Sequence, residues 1–586
     1  MKNFGDLREA TQLPPSPENW ARLCEIMEQW DDPSSWEEVA LPYLQGQLKR
    51  WPGDLRRAPW RLVQRAIAGL DAPGLELAAR VGKRWDVVDH GPGEPYLAPL
   101  EGHELVALVS HANIGALRAL NARRVRLSDA QLREVVTAPS LEHLEMLDLG
   151  GGGRMHAAGA RIIAEESTLP ALTDLELWGN GLGDQGFAHV ASSPRLAGVK
   201  MLELGDNGAG IAGALALANS MYLHNLERLF VWDNAIQDEG FAAIITSPIM
   251  ANVHDVEFND CELTSEGIDS MLDSSHLGAL RSLSLGENGL STAALDGLAH
   301  APELSRLREL SLHQNALDWT AIVELAASTF SGSLDSLNIH SNPIGHDGAL
   351  SITRASFPLL EELYLGRCDL TPDSIEHLMG PTGPARLKIL DVSVSGVGYA
   401  GARAIARAES MAHATTLGLA STGLGVNAVR DLSRSEHLSR LEMLSLRMND
   451  LDGRAIAWLA RSTSLVGVRE LDLYGNAFDD DDVAALLSSP ISRDVVDLDL
   501  SYNELTDACV DAILGAPCAR RLESLSLQGN GLTDAAARAI ASSDALENLH
   551  TLDLRYNAIT PEGARLLADS EHLAPSIRAI QAKRTD

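Results

Sequence analysis

The chain has 586 residues, and 81 acidic against 47 basic side chains give it a formal charge of −34 at pH 7. That excess disfavours a phosphate backbone or an anionic lipid surface, where Lys and Arg must neutralise charge, so neither nucleic acid nor membrane is an expected partner. The five cysteines lack paired spacing, no run of about 20 apolar residues occurs, and the start, MKNFGDLREATQLPPSPENW, lacks the apolar stretch of a secretory signal; a cytoplasmic protein with reduced thiols is expected.

Residues 1–90 hold six of the ten tryptophans, Trp20, Trp30, Trp36, Trp51, Trp60 and Trp85. Their pattern is helical. Ser16, Pro17 and Glu18 form a helix start, followed by Trp20, Leu23, Cys24, Met27 and Trp30 at helical spacing. Further helices are predicted from Ser34 toward Pro42, over 59–70, and over 74–81. The segment is expected to be an all-α cap whose tryptophans form its core, because a terminal repeat leaves an apolar edge to be covered; a ligand groove is the other option. The basic cluster Lys49, Arg50, Arg56, Arg57, Arg61 and Arg65 is expected to be a solvated helix face, the alternative being a site for an acidic partner. Residues 91–104 are predicted to be a linker, since 90–100 are dense in Gly and Pro.

Residues 105–586 follow one template. At Leu172, Leu175, Leu177, Asn180 and Leu182 it reads LxxLxLxxNxL, and it recurs with first positions at 117, 144, 172, 199, 226, 253, 280, 307, 334, 360, 387, 414, 441, 468, 495, 522 and 549. These are seventeen repeats of about 27 residues, each predicted to supply a short strand and a returning helix. Strand side chains alternate, so template positions 4 and 6 (Leu337 and Ile339, Leu471 and Leu473) should point inward. The expected fold is α/β: a solenoid with a parallel sheet on its concave side and helices on its convex side. No repeat buries its apolar face alone, so stacking makes the core. The ninth position is Asn in eleven repeats; Cys261, Cys368, Ser395 and Thr422 replace it with other hydrogen-bond donors. Val125, Gly152 and the glycine run at 150–153 mark degraded first repeats, and Ile577 with Ile580 begins a truncated final strand.

After the ladder residue comes a small residue at position 15 (Gly186, Gly240, Gly267, Gly348, Gly401, Gly563) and then an apolar helix such as Phe241-Ala-Ala-Ile-Ile. In this the chain resembles the ribonuclease-inhibitor type of leucine-rich repeat, the class of ribonuclease inhibitor, the Ran GTPase-activating proteins and the NOD-like receptors. The resemblance spans roughly residues 105–580. It implies a horseshoe that binds proteins, although the relatives bind different ones. The chain departs from them in its uniform repeat length, its helical start and its lack of a nucleotide-binding P-loop. The preference for Arg over Lys and the abundance of Ala point to a GC-rich bacterial genome.

Two segments match a dinucleotide fingerprint: Gly181, Gly183, Gly186 and Gly208, Gly210, Gly213. Both occupy equivalent repeat positions, so the repeat accounts for them and no cofactor is expected. The acidic run at 479–482 is expected to be a solvated helix start rather than a cation site. His313 and His340 stand in adjacent repeats, but without a third ligand no metal is expected. No HExxH, GxSxG, Walker or CxxC motif occurs, so the chain is not expected to be an enzyme. The rival readings are chemistry in the helical unit or around His313, His340 and Asp391, and a passive spacer.

The exposed strand columns carry the site expectation. Position 5 runs Asp148, Glu176, Glu203, Phe230, Glu257, Ser284, Ser311, Asn338, Tyr364; position 7 runs Gly150, Trp178, Gly205, Trp232, Asn259, Gly286, His313, His340, Gly366; position 8 adds Asp206, Asp233, Asp260 and Glu287. Aromatics within a field of carboxylates have the composition of a binding hot spot, and a basic protein partner is expected there. The alternative is that concave aromatics merely stack on their neighbours. A second patch is read at Asp472, Tyr474, Asp499, Tyr502, Asp553, Arg555 and Tyr556, while Gly418, Ala420 and Ser445 separate the two.

Overall fold

The computed structural model describes residues 7–8, 10–13, 15, 17–28, 40–48, 84–86, 101–110, 114–115, 117–153, 155–355, 357–549, 551–573 and 577. Trp30, Trp36, Trp51, Trp60, the basic cluster 49–65, the helices expected over 59–70 and 74–81, residues 91–100 of the expected linker, and Ile580 lie outside the described residues, as do the side chains of Cys24 and Trp85. Two compact units form: residues 1–89 with 99–253, and residues 90–98 with 254–586.

In the first unit, helices Pro17–Glu28 and Leu41–Leu48 bring Leu7, Ala10, Trp20, Leu23, Met27, Ala40, Leu44 and Leu48 into one buried cluster. Trp20 is core. A strand, β1 (Arg84–Asp86), follows within the stretch read as helical and pairs in parallel with β2 (Ala119–Asn121). The sheet continues through β3 (Met146–Asp148), β4 (Asp174–Glu176), β5 (Met201–Glu203) and β6 (Arg228–Phe230), all parallel and in register. From β2 onward each strand starts two residues after the template's first leucine-type position. The second unit repeats the arrangement in β7 (Asp255–Glu257), β8 (Ser282–Ser284), β9 (Glu309–Ser311), β10 (Ser336–Asn338), β11 (Glu362–Tyr364), β12 (Ile389–Asp391), β13 (Thr416–Gly418), β14 (Met443–Ser445), β15 (Glu470–Asp472), β16 (Asp497–Asp499), β17 (Ser524–Ser526) and β18 (Thr551–Asp553). Leu337, Ile339, Leu471 and Leu473 are buried as expected. Ile577 is helical and buried.

Two local devices give every repeat its shape. Position 8 is left-handed throughout, as at Asp206 (φ 49°), Asp233 (φ 51°) and Glu287 (φ 59°), which ends each strand and turns the chain out of the sheet. The small residue at position 15 lets helices stack: a Cβ on Gly240 would lie 2.7 Å from that of Ala214 in the preceding helix. Phe187 and Phe241, each directly after this glycine, are wholly buried.

The position-9 Asn holds neighbouring repeats together. Asn207 donates through Nδ2 to the carbonyls of Leu177, Leu204 and Gly205 at 2.9–3.1 Å, while its Oδ1 accepts the amides of Asn180 and Leu182 at 3.1 and 3.2 Å. Cys368 performs only the donating half, Sγ to the Ile339 carbonyl at 3.1 Å. The amide of Ile344, lacking an Oδ1 to reach, turns back to the carbonyl of Asn342 at 2.8 Å. Burial pushes the Cys368 thiol up to about 12, so it stays protonated as a donor. A second ladder joins helix starts on the outer side: Asp480 accepts from Thr506, Asp507 from Thr533 and Asp534 from Thr560, each by amide and hydroxyl at 2.6–2.9 Å.

Candidate functional site

In the first unit the exposed sheet face centres on two tryptophans. Glycine in the preceding repeat gives each ring its place. A Cβ on Gly150 would lie 2.1 Å from Trp178 Nε1, and one on Gly205 would lie 2.1 Å from Trp232 Cε2. Both rings are therefore laid flat over glycine, half-buried, with centroids 6.3 Å apart and planes tilted by 37°. Arg123 comes within 5.9 Å of the Trp178 ring centre.

Arg123 was not anticipated as part of this face. It pairs with Asp148 and, at 2.9 Å, with Glu176, so the expected partner-binding Glu176 and the preceding carboxylate of its column are already engaged. Asp174 is likewise held by Arg228 at 2.6 Å. Burial, reinforced by the Glu176 charge, outweighs Arg123 and pushes the Asp148 carboxyl up to about 7. A carboxyl whose folded value exceeds its ordinary value near 4 contributes stability below that ordinary value and loses it as pH rises through 7. Asp148→Asn is therefore expected to gain on the parent by several degrees of melting temperature between pH 5 and pH 8; parallel melts whose difference stays flat across that window would show that Arg123 wins instead.

The acidic columns divide by role. At position 5, Asp148, Glu203, Asp391, Asp472, Asp499 and Asp553 each accept the backbone amide two residues on, at 2.8–3.1 Å. These carboxylates close the strand end, and local geometry explains their type. At position 8 the left-handed backbone itself favours Asp. Asp206 and Asp233 are nevertheless exposed, and burial together with the Asp233 charge raises the Asp206 carboxyl above its usual range. Phe230 and Glu203 lie half-buried on the same face.

The remaining residues of the expected patch belong to the second unit. Glu257 is bonded by Asn259 Nδ2, and Asn259 Oδ1 in turn accepts from the Gly286 amide at 2.6 Å. Asp260 and Glu287 are exposed; Glu287 comes within 3.5 Å of His313 Nε2. His313 lies over Gly286, one repeat back, whereas His340 lies over Gly366, one repeat ahead. The two rings thus lean in opposite directions, and among the described residues no group of three or more His, Cys, Asp or Glu is arranged to hold a metal. Burial lowers the His340 pKa, favouring the neutral ring. Tyr364 is half-buried on β11.

In the second patch, Tyr474 and Tyr502 stack at 4.9 Å with planes at 47°, Arg447 lies 3.6 Å from the Tyr474 ring centre, and Tyr556 is 75% exposed. Arg555 is folded back onto Asp553 through bonds of 2.5–3.0 Å. Asp472 and Asp499 are half-buried, each engaged with a backbone amide as above.

The fingerprint glycines are accounted for by the backbone and by helix packing. Gly181 and Gly183 are left-handed (φ 63° and 60°), and a Cβ on Gly186 would lie 2.6 Å from that of Leu182. Gly210 is extended, with its amide bonded to Asp184 Oδ1 at 2.7 Å and only ordinary contacts around a Cβ. Gly183→Ala is expected to cost about 1 kcal/mol and Gly210→Ala close to nothing; equal urea midpoints for the two variants would contradict this. In the acidic run, Asp479 caps its helix by accepting the Asp482 amide at 2.9 Å, and Asp480 belongs to the outer ladder.

Residues 520–541 and 545–568 match the leucine-rich repeat family model. The fold is a leucine-rich repeat solenoid. No curated protein matches the chain. Among solved structures it is similar to an internalin of Listeria monocytogenes (16% identity over 73% of this chain and 89% of that one, TM-score 0.31), to a chain of the mouse RP105/MD-1 complex (14%, 83% and 94%, 0.36) and to a chain of the yeast Rad7–Elc1 complex (15%, 54% and 79%, 0.34). No helix among the described residues of this solenoid is long and apolar enough to cross a membrane.

Proposed function

We propose that this leucine-rich repeat chain is a non-catalytic scaffold that binds a basic protein partner on the exposed sheet face of its first unit. The observation that carries this is the tryptophan pair. Trp178 and Trp232 are held flat over Gly150 and Gly205 beside two exposed, mutually repelling carboxylates, Asp206 and Asp233. A lysine or arginine of the partner placed between those carboxylates relieves their repulsion, and its aliphatic stem covers the indoles. Aromatic stacking alone leaves Asp206 and Asp233 uncompensated. In this reading Trp178, Phe230 and Trp232 are the anchors, Glu203, Asp206 and Asp233 the charged rim, and Asp148 and Glu176 serve the fold through Arg123. The small residue at position 15 followed by an apolar helix, as at Gly186 with Phe187 and Gly240 with Phe241, supports the ribonuclease-inhibitor type, and the preference for Arg over Lys supports a bacterial source. The four cysteines whose side chains are among the described residues are buried and unbridged, which supports a reducing, cytoplasmic setting.

The test is affinity capture on immobilised parent protein and on the joint Trp178→Ala, Phe230→Ala, Trp232→Ala variant. The expected result is a basic protein retained by the parent, released by rising salt, and absent from the variant; identical capture by both would remove the face from consideration.

A further inference from the structure

The second unit carries an exposed apolar ledge that the repeat does not require. Along position 8, Val394, Met448, Tyr502 and Tyr556 are 42%, 53%, 40% and 75% exposed. They alternate with Ser421, Gly475 and Gly529 in the intervening repeats. Two of the three gaps are bridged by the preceding large side chain: a Cβ on Gly475 would lie 3.0 Å from Met448 Cγ, and one on Gly529 would lie 2.7 Å from the Tyr502 ring. The result is a strip closed from Met448 across Gly475 and from Tyr502 across Gly529, with Val394 in the same column beyond Ser421.

The strip is held against local preference. All four residues are left-handed, with φ of 54°, 54°, 51° and 55°. A β-branched or bulky side chain is rare in that conformation, and Gly, Asn and Asp are the residues that suit it. Exposed residues gain little from the core in return. An exposed apolar residue kept at a strained position is the signature of a functional surface.

The charge on the strands that lead into the strip selects the occupant. Glu470 faces Asp497 and Asp472 faces Asp499 across β15 and β16, so four carboxylates share two adjacent strands. Burial and their mutual repulsion push Asp497 up to about 6. Within the chain itself, Arg447 already lies on the Tyr474 ring beside Tyr502, which shows that this surface accepts a guanidinium on a tyrosine face.

We infer that the ledge of Val394, Met448, Tyr502 and Tyr556 is a second docking surface, independent of the tryptophan pair, for a protein segment in which apolar residues alternate with arginine. The apolar residues cover the ledge, and the arginines reach the four carboxylates.

The test uses the full chain and three labelled peptides of equal length in fluorescence anisotropy: alternating Arg-Leu, alternating Lys-Ser and alternating Glu-Leu. The Arg-Leu peptide is expected to bind saturably, the Lys-Ser peptide about tenfold more weakly, and the Glu-Leu peptide not at all. The joint Val394→Asn, Met448→Asn, Tyr556→Asn variant should weaken the Arg-Leu peptide about tenfold while melting at or above the parent, because Asn tolerates the left-handed backbone. Joint Trp178→Ala and Trp232→Ala should leave the ledge-dependent part of that binding, the part lost in the asparagine variant, unchanged. The inference is overturned if Lys-Ser or Glu-Leu binds as tightly as Arg-Leu, if the asparagine variant binds like the parent, if it melts lower, or if the tryptophan variant alone abolishes binding.

Discussion

Replacing Asn207 by Ala is expected to lower the unfolding free energy of the first unit by about 2–4 kcal/mol, more than any surface change in this protein. The figure follows from counting which groups lose their partners. Of the carbonyls that Asn207 serves, Leu177 still accepts from Asn180 Nδ2, Leu204 from Asn234 Nδ2 and Gly205 from the Gly179 amide. The amides of Asn180 and Leu182 have Asn207 Oδ1 as their acceptor, and both are buried. Each orphaned buried donor costs about 1–3 kcal/mol. One of them has a known escape, since Ile344, whose neighbouring repeat supplies Cys368 instead of Asn, turns its amide back onto the Asn342 carbonyl. Asn207→Cys should therefore fall between the parent and Asn207→Ala, because the thiol keeps the donor role. Urea unfolding ranks the three, and hydrogen exchange reads the Asn180 and Leu182 amides directly. Unchanged protection at both amides in Asn207→Ala would mean that the ladder acceptor is dispensable.

The same accounting explains what was legible in the sequence. Strand placement from β2 to β18 follows from the leucine template alone, because positions 4 and 6 have no alternative to burial once neighbours stack. The ladder Asn was legible as a donor. Its acceptor half was not, since that depends on where the next repeat's amides fall. Site residues were legible by column but not by role. Glu203 and Asp499 read as partner-binding carboxylates, yet each accepts the amide two residues on, and Glu176, read the same way, joins Asp148 in holding Arg123, whose reach across repeats no spacing rule encodes. The glycines beneath the aromatics were in plain sight: Gly150 before Trp178, Gly205 before Trp232 and Gly286 before His313 stand in the same column one repeat earlier. A large flat ring next to a residue without a side chain in that column is the signal that would have predicted the stacking. Position 8 misled in the other direction, because its left-handed turn selects Asp whether or not a partner exists.

Those glycines give the functional reading its sharpest test. Gly205→Ala adds a single methyl far smaller than any partner contact, but it places a Cβ 2.1 Å from Trp232 Cε2 and 2.4 Å from Cδ2, so the indole must leave its place. Trp232 then loses both its support and its fixed geometry beside Trp178. Partner affinity is expected to fall by about 2 kcal/mol, roughly thirtyfold, as it should for Trp232→Ala. Stability should change little, because the displaced ring is half-exposed. The two lesions act on one element, so their combination should cost no more than either alone, whereas independent contributions would add. The decisive measurement is the double-mutant cycle between Gly205→Ala and Trp232→Ala against the captured partner. Additive losses, or a Gly205→Ala variant that binds like the parent, would mean that Trp232 serves only to stack on its neighbours.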